Sequence, residues 1–553
     1  MNYVPGFGFK DCKLMLLTEC PTYEDSVSGK LLSRARETYS LLSDAGINKN
    51  GIWITAVSKY HVPSNEGKKK VSFADRAKSV GIDIDQQLSD LQNEINIIKP
   101  NCILGLGRST LWALTGRKAI DKLRGSILLG MGRKFVPTYN PEHLNYYASD
   151  IEFKGYWNKQ IMIFDAKRAL AQSAFEEIHR PIRQLQVARN SYDLQTFYDR
   201  FKHKTKVSVD IESLGICIPA CIGLSFDGIN GITAPLWNTE GISTIPDSDM
   251  ITIWQLLAHI LTQHEIIGQN FNYDRDKLKR LGFVIKKLAD DTMMKAFALN
   301  PELPVNLAFN TSLYTEEPFY KDEGMYEGSI EDLFLGCARD ACVTYEMNSN
   351  MDPDLDEIGQ RAFYENFLMK LPDLYWEIEN TGFGLDPIKR EQLIRKYITW
   401  DEQTRYELFK LTGEEVNVNS PKQIQELLFT TLKCPKRDGT GEEELTALLN
   451  LASFTDPIKR EVVEKILLGR RIRKSISTYL MAMPDYDGRL RTTCFPCLNT
   501  GRSSTGQQSP PIRPTVEVID EHGKKKHREL GIAFQTITKH GDVGEDIRGM
   551  MVP

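Results

Sequence analysis

Two carboxylates two residues apart carry the clearest chemistry in the chain. Lys206-Val-Ser-Val-Asp-Ile-Glu-Ser213 alternates, so a strand here directs Val207, Val209 and Ile211 to one face and Ser208, Asp210 and Glu212 to the other. Asp210 and Glu212 then repel each other unless a cation lies between them. An all-oxygen donor set suits Mg²⁺ or Mn²⁺, not zinc. Two further acidic stretches follow. Ile266-Ile-Gly-Gln-Asn-Phe-Asn-Tyr-Asp274 begins as a buried strand and breaks at Gly268. Asp274 opens a helix with Leu278 and Leu281 on one face. Leu333-Phe-Leu-Gly-Cys-Ala-Arg-Asp-Ala-Cys-Val-Thr-Tyr345 keeps Ala338, Ala341, Cys342 and Tyr345 on a helical apolar stripe, with Asp340 beside it. Four carboxylates from three elements can hold two metal ions about 3.5–4 Å apart. One activates a water and the other steadies the leaving oxygen of a phosphodiester.

The order D-x-E, then N-x-x-[FY]-D, then a late helical Asp resembles the proofreading 3′–5′ exonucleases. Asp290-Asp-Thr-Met-Met294 and Leu303-Pro-Val-Asn-Leu307 resemble connecting segments of the family A (bacterial polymerase I type) DNA polymerases. The resemblance implies a ribonuclease H-like exonuclease domain over residues 206–355. It implies Asp210, Glu212, Asp274 and Asp340 as catalytic ligands of two Mg²⁺ or Mn²⁺ ions, with Asn270 and Tyr273 near the 3′ end of bound DNA. One position departs from the family pattern. Four residues before the last Asp the family has a Tyr whose hydroxyl orients the attacking water, and here that position is Gly336.

The elements around this core fill a chain of 553 residues, enough for three or four domains. Its apolar share of 41% is that of a globular protein. No signal peptide and no membrane-spanning run is expected, so the reading is cytoplasmic, in the host cell if phage-encoded. Ten scattered cysteines suit a reducing compartment. Cys494-Phe-Pro-Cys497 and Cys217…Cys221 are single pairs, too few for structural zinc. A net charge of −5 excludes a generally basic nucleic-acid coat but not a local basic channel.

Residues 1–175 alternate strands and helices. Strands are expected at Lys13–Leu17, Gly51–Val57, Asn101–Gly107 and Lys134–Tyr139, with a helix carrying Leu88, Leu91, Ile95 and Ile98. Thr18-Glu-Cys-Pro-Thr-Tyr-Glu-Asp25, Ile54-Thr-Ala-Val-Ser-Lys-Tyr60, Ile98–Gly107, Leu123-Arg-Gly125 and Pro137-Thr-Tyr-Asn-Pro141 occur in the order of the uracil-DNA glycosylase superfamily, which they resemble. The resemblance implies a glycosylase-like three-layer α/β domain with a pocket at Glu19, Asp25, Asn140 and His143. Cys12, Cys20 and Cys102 do not match the four-cysteine spacing of the iron–sulfur branch, and Asn140 stands where the superfamily usually has His. A non-catalytic, DNA-contacting domain without an iron–sulfur cluster is the expectation, with an active glycosylase in which Glu19 polarises a water as the alternative. Residues 176–205 read as a linker and an entry helix bearing Tyr192, Leu194, Phe197 and Phe201.

Residues 356–553 read as mostly helical and resemble the thumb and partial palm of a family A polymerase. Glu377-Ile-Glu-Asn-Thr-Gly-Phe-Gly-Leu-Asp386 resembles the entry segment. In Val418–Leu428, Asn419 or Ser420 caps a helix that Pro421 begins, with Ile424, Leu427 and Leu428 facing the core. Arg470, Arg471, Arg473 and Lys474 form a basic stretch of the kind that meets duplex phosphates. Thr500-Gly-Arg-Ser-Ser504 and Phe534-Gln-Thr-Ile-Thr538 resemble the template-side signature, which makes Arg502 and Gln535 DNA-binding residues, with a basic insertion between them. Asp546-Ile-Arg-Gly-Met-Met-Val-Pro553 resembles the segment preceding the first catalytic palm strand. The expectation is a replication protein that binds primer–template and single-stranded 3′ ends, proofreads, and polymerises only with a second polypeptide. The rivals are a non-enzymatic DNA-binding subunit and an RNA-trimming exonuclease.

Overall fold

The computed structural model describes residues 2–63, 71–143, 152–179, 181–213, 219–238, 240–243, 245–317, 329–498, 502–506, 516–519, 525–528, 531–537 and 542–552. It divides into two compact units, the first reaching Lys370 and the second beginning at Leu371. No helix among the described residues is long and apolar enough to cross a membrane.

The first unit holds two six-stranded sheets. The N-terminal one runs β1(Phe7–Gly8)-β3(Trp53–Ala56)-β2(Leu14–Thr18)-β4(Cys102–Leu106)-β6(Arg133–Thr138)-β5(Leu128–Gly130). Its four inner strands are parallel, and β1 and β5 pair antiparallel at the edges. The four expected strands are these inner ones. Strand β2 explains the three layers. Leu14 and Leu16 pack with Leu41, Leu42, Met162 and Ala166 on one side, while Met15 and Leu17 pack with Leu91 and Ile95 on the other. Both faces are covered by helices, so the strands read as continuous apolar runs.

The second sheet is mixed, in the order β12(Leu288–Asp291)-β11(Glu265–Gly268)-β8(Lys206–Ser213)-β9(Pro219–Ser225)-β10(Asn230–Pro235)-β7(Gln184–Val187). β8, β9 and β10 are antiparallel, with parallel strands on both sides. This sheet contains the strand expected to carry Asp210 and Glu212. The segment read as a linker is corrected here. Residues 184–187 are β7, paired with β10, and helix Ser191–Phe201 puts Leu194, Phe197 and Phe201 into the same core as Val207 and Val209.

A buried joint connects the two layers. Arg124, 1% exposed, donates to Asp165 and, at 3.0 Å, to Ser312 Oγ. Arg168 donates to the carbonyls of Gly125 and Thr315. The Leu123-Arg-Gly125 motif is therefore part of this joint.

The second unit is mostly helical, as expected. Ser420 caps helix Pro421–Gln425, Pro421 takes its first turn, and Ile424, Leu427 and Leu428 are buried. Asp386 caps the long helix Pro387–Thr412, which packs on helix Pro457–Lys474. A small sheet orders β14(Arg489–Leu490)-β13(Phe383–Leu385)-β15(Met551–Val552). Within the insertion, Val516–Ile519 and Lys525–Arg528 pair antiparallel, while residues 507–515 and 520–524 lie outside the described residues.

Candidate metal centre

Strand β8 alternates as its sequence demands. Val207, Val209 and Ile211 enter the core, and the other face lies under helix Ile330–Glu357. That face is covered, and side chains bolt the helix to the sheet. Ser208 Oγ donates to the Ala341 carbonyl at 2.5 Å, and Thr233 Oγ1 to that of Phe334 at 2.6 Å. Two glycines permit the contact. A Cβ on Gly223 would fall 2.5 Å from the Cys337 carbonyl oxygen, and one on Gly231 would fall 2.7 Å from that of Ala338. Gly223 is also the cross-strand partner of Asp210. The helix thus delivers Asp340, 1% exposed, to the two strand carboxylates. Asp210, Glu212 and Asp340 each offer an oxygen, and the three lie within 4.8 Å of one another. Three converging carboxylate oxygens fit a hard divalent cation such as Mg²⁺ or Mn²⁺.

Asp274 stands outside that group of three. It is buried on helix Asn272–Arg280. Burial pushes its carboxyl well above the usual carboxylate range, Glu212 and Asp291 push the same way, and Lys277 opposes them. The loop before this helix is set by a residue that sequence reasoning did not single out. Asp291, 1% exposed, accepts from the backbone N–H groups of Asn270 (3.0 Å), Phe271 (2.9 Å) and Met293 (2.9 Å). Asn270 takes the left-handed conformation at φ 54° and is exposed at the loop, while Tyr273 is half-buried. The signal for Asp291 was an acidic residue between a strand and Thr292, where it caps helix Thr292–Leu299. Gly336 is buried one turn before Asp340 on their common helix.

In the second unit, Gln535 reaches back thirty residues to Thr505, three positions after Arg502. Its side chain accepts from Thr505 N at 3.0 Å and donates to the Ser503 carbonyl at 2.7 Å. Arg502 itself is exposed.

Residues 390–536 match the family model described as DNA polymerase family A, and residues 5–166 match that of the uracil DNA glycosylase superfamily. The chain is related to the family A DNA polymerases. It is 27% identical over 269 residues to DNA polymerase I of Treponema pallidum, covering 46% of this chain and 26% of that one. Identity to DNA polymerase I of Borreliella burgdorferi is 25% over 349 residues, covering 60% and 37%. A DNA polymerase of Bacillus phage SP01 is 23% identical over 427 residues, covering 69% and 44%. The chain spans less than half the length of each of these three relatives.

Of the residues expected to line a glycosylase-like pocket, Glu19, Asp25 and Asn140 are engaged in internal bonds. Glu19 is held by Arg76 at 2.7 Å and by Ser109 Oγ at 2.6 Å, one partner on each carboxylate oxygen. Asp25, 2% exposed, closes a capping box with Thr22 and accepts from Leu32 N and Ser33 N. Asn140 Oδ1 accepts from Glu142 N in a tight turn, and the side chain of His143 lies outside the described residues. The basic run of the second unit divides as well. Arg470 donates to the Val418 and Thr440 carbonyls and Arg473 pairs with Asp401, so only Arg471 and Lys474 are exposed.

Proposed function

We propose that this chain is a DNA-replication protein, the exonuclease- and thumb-bearing part of a family A DNA polymerase. It removes nucleotides from the 3′ end of single-stranded or frayed DNA in the cytoplasm, that of the host cell if phage-encoded. The convergence of Asp210, Glu212 and Asp340 within 4.8 Å carries the reading. Divalent ions bound there would activate a water and stabilise the leaving oxygen of the phosphodiester. The protein's own part is positional. Asp210 and Glu212 project from a rigid strand, and Asp340 from a helix that Ser208 and Thr233 fasten to the sheet. The Asn270 loop, fixed by Asp291, presents Asn270 and Tyr273 beside Asp274 for the terminal nucleotide. The N-terminal layer acts as a DNA-contacting scaffold, since both oxygens of Glu19 are already engaged. Arg502 and Gln535 lie in the family-matched segment, where they would meet the primer–template.

The test is incubation of the chain with Mg²⁺ and a 5′-labelled primer–template. Stepwise shortening that vanishes in Asp210→Ala, with thermal unfolding unchanged, is the expected result. Undiminished shortening in Asp210→Ala sinks the metal-site assignment. DNA binding without any shortening in the unaltered chain replaces the enzyme reading with that of a DNA-binding subunit. Preferential shortening of RNA ends replaces the substrate class.

A further inference from the structure

The loop that bears Asn270 is held by a run of buried bonds that leads to a distant tyrosine. Asp291, the last residue of β12, accepts from the backbone N–H groups of Asn270 at 3.0 Å and Phe271 at 2.9 Å. Those bonds keep Asn270 exposed and left-handed, a conformation that asparagine adopts at small cost. Asp291 is itself tied. Its backbone N–H donates to the Tyr364 hydroxyl at 3.2 Å, and that hydroxyl donates to Asp290 Oδ1 at 3.1 Å. Tyr364 is 1% exposed and lies on helix Arg361–Asn366, 73 residues further along the chain. Asp290 is anchored by two ammonium groups, Lys206 at 2.7 Å and the fully buried Lys295 at 3.2 Å. Lys295 is fixed in turn by Asn348 Oδ1 at 2.6 Å and Asp352 at 2.9 Å, both on helix Ile330–Glu357. A phenylalanine would fill the same space as Tyr364. What the hydroxyl adds is a fixed position for the Asp291 backbone, between an anchored carboxylate and an exposed loop. The three converging carboxylates stand on other elements, β8 and helix Ile330–Glu357.

Resting on the exonuclease reading above, we propose that Tyr364 is a positioning residue for the 3′ end of the DNA. It acts through Asp291 on the Asn270 loop. It therefore governs how tightly the terminal nucleotide is held, and not how fast the phosphodiester is cut.

Shortening of a 5′-labelled single strand by the full chain in Mg²⁺, measured over a range of strand concentrations, separates these two effects. Tyr364→Phe keeps the ring in the core and should raise KM about tenfold, with kcat within about threefold. In an Asn270→Ala background the same substitution should add little, since both changes act on one loop. Tyr198→Phe removes another buried hydroxyl of this unit, the one beside His264, and is the structural control. It should lower the thermal midpoint and leave KM unchanged. Three results overturn the proposal: Tyr364→Phe behaving as Tyr198→Phe does, a fall in kcat at constant KM, or an undiminished rise in KM when residue 270 is already alanine. Shortening that survives Asp210→Ala, or none at all in the unaltered chain, instead refutes the exonuclease reading and removes the proposal with it.

Discussion

Gly223→Ala tests whether close packing of one helix on one strand sets the site. The new Cβ would meet the Cys337 carbonyl oxygen at 2.5 Å, the Cys337 carbonyl carbon at 2.8 Å and Sγ at 2.9 Å. Two of these three atoms are backbone, so no side chain can swing aside. Restoring ordinary contact near 3.4 Å moves helix and strand apart by about 0.9 Å. Overpacking of this kind costs about 1–3 kcal/mol, small enough to leave the protein folded at room temperature. Asp340 lies one turn along the same helix and Asp210 is the strand partner of Gly223, so the displacement passes straight into the ligand spacing. Metal–ligand distances tolerate about 0.2 Å, and a misplacement of about 1 Å costs on the order of 100-fold in rate. Single-turnover shortening of a labelled strand in saturating Mg²⁺ should fall by about that factor, with a thermal midpoint only a few degrees lower. Full activity with the midpoint unchanged would refute the reasoning, because it would mean the helix is not seated where Gly223 allows.

Removing one partner of the buried Arg124–Asp165 pair, as in Arg124→Met, should cost about 3–5 kcal/mol in denaturant unfolding, and adding Asp165→Leu should recover much of it. His264, 3% exposed beside the Tyr198 hydroxyl, has its pKa lowered by burial from the ordinary 6.5. The unfolded chain therefore takes up a proton first, and stability is lost as pH falls below 6.5 toward the folded-state value; His264→Gln should flatten the thermal midpoint across that window. In the second unit, Arg471→Gln and Lys474→Gln should each weaken duplex binding and reduce its salt slope by about 0.9. Arg470→Gln should instead lower the unfolding midpoint, because Arg470 bonds two carbonyls inside the protein.

The joint at Arg124 ties the glycosylase-like layer to the layer of the second sheet by more than adjacency. Arg124 and Asp165, each 1% exposed, both belong to the N-terminal layer, and the bonds that cross are those of Arg124 to Ser312 Oγ and of Arg168 to the Thr315 carbonyl. Ser312, which also meets Arg124, lies on helix Leu307–Tyr314. That helix packs on the one carrying Asp340, through Thr311 against Met347 and the Asn350 amide on the Tyr314 carbonyl. A residue of the glycosylase-like motif order is thus two contacts away from the helix that carries Asp340. The sequence resemblance assigned Leu123-Arg-Gly125 to a nucleic-acid-binding layer, and in the fold its arginine anchors a neighbouring layer.

What the sequence disclosed follows how locally each feature is encoded. The four inner strands of the first sheet are apolar runs, and Asp210, Glu212 and Asp340 sit on periodicities that a strand and a helix impose by themselves. Strand β7 escaped because Gln184-Leu-Gln-Val187 is short, half-exposed and preceded by Arg180-Pro-Ile-Arg183, a pattern that reads as connection until β10 is there to pair with it. The fates of the cations were hidden for the same reason. Arg470 through Lys474 look alike in sequence, yet what separates Arg470 from Arg471 is whether Val418 and Thr440 lie within reach. Glu19 likewise has a free carboxylate in the sequence and an occupied one in the fold, because Arg76 and Ser109 arrive from 57 and 90 residues away. Strand and helix period can place a charged side chain on a face. Whether that charge is left for DNA or metal depends on partners that only the tertiary fold supplies.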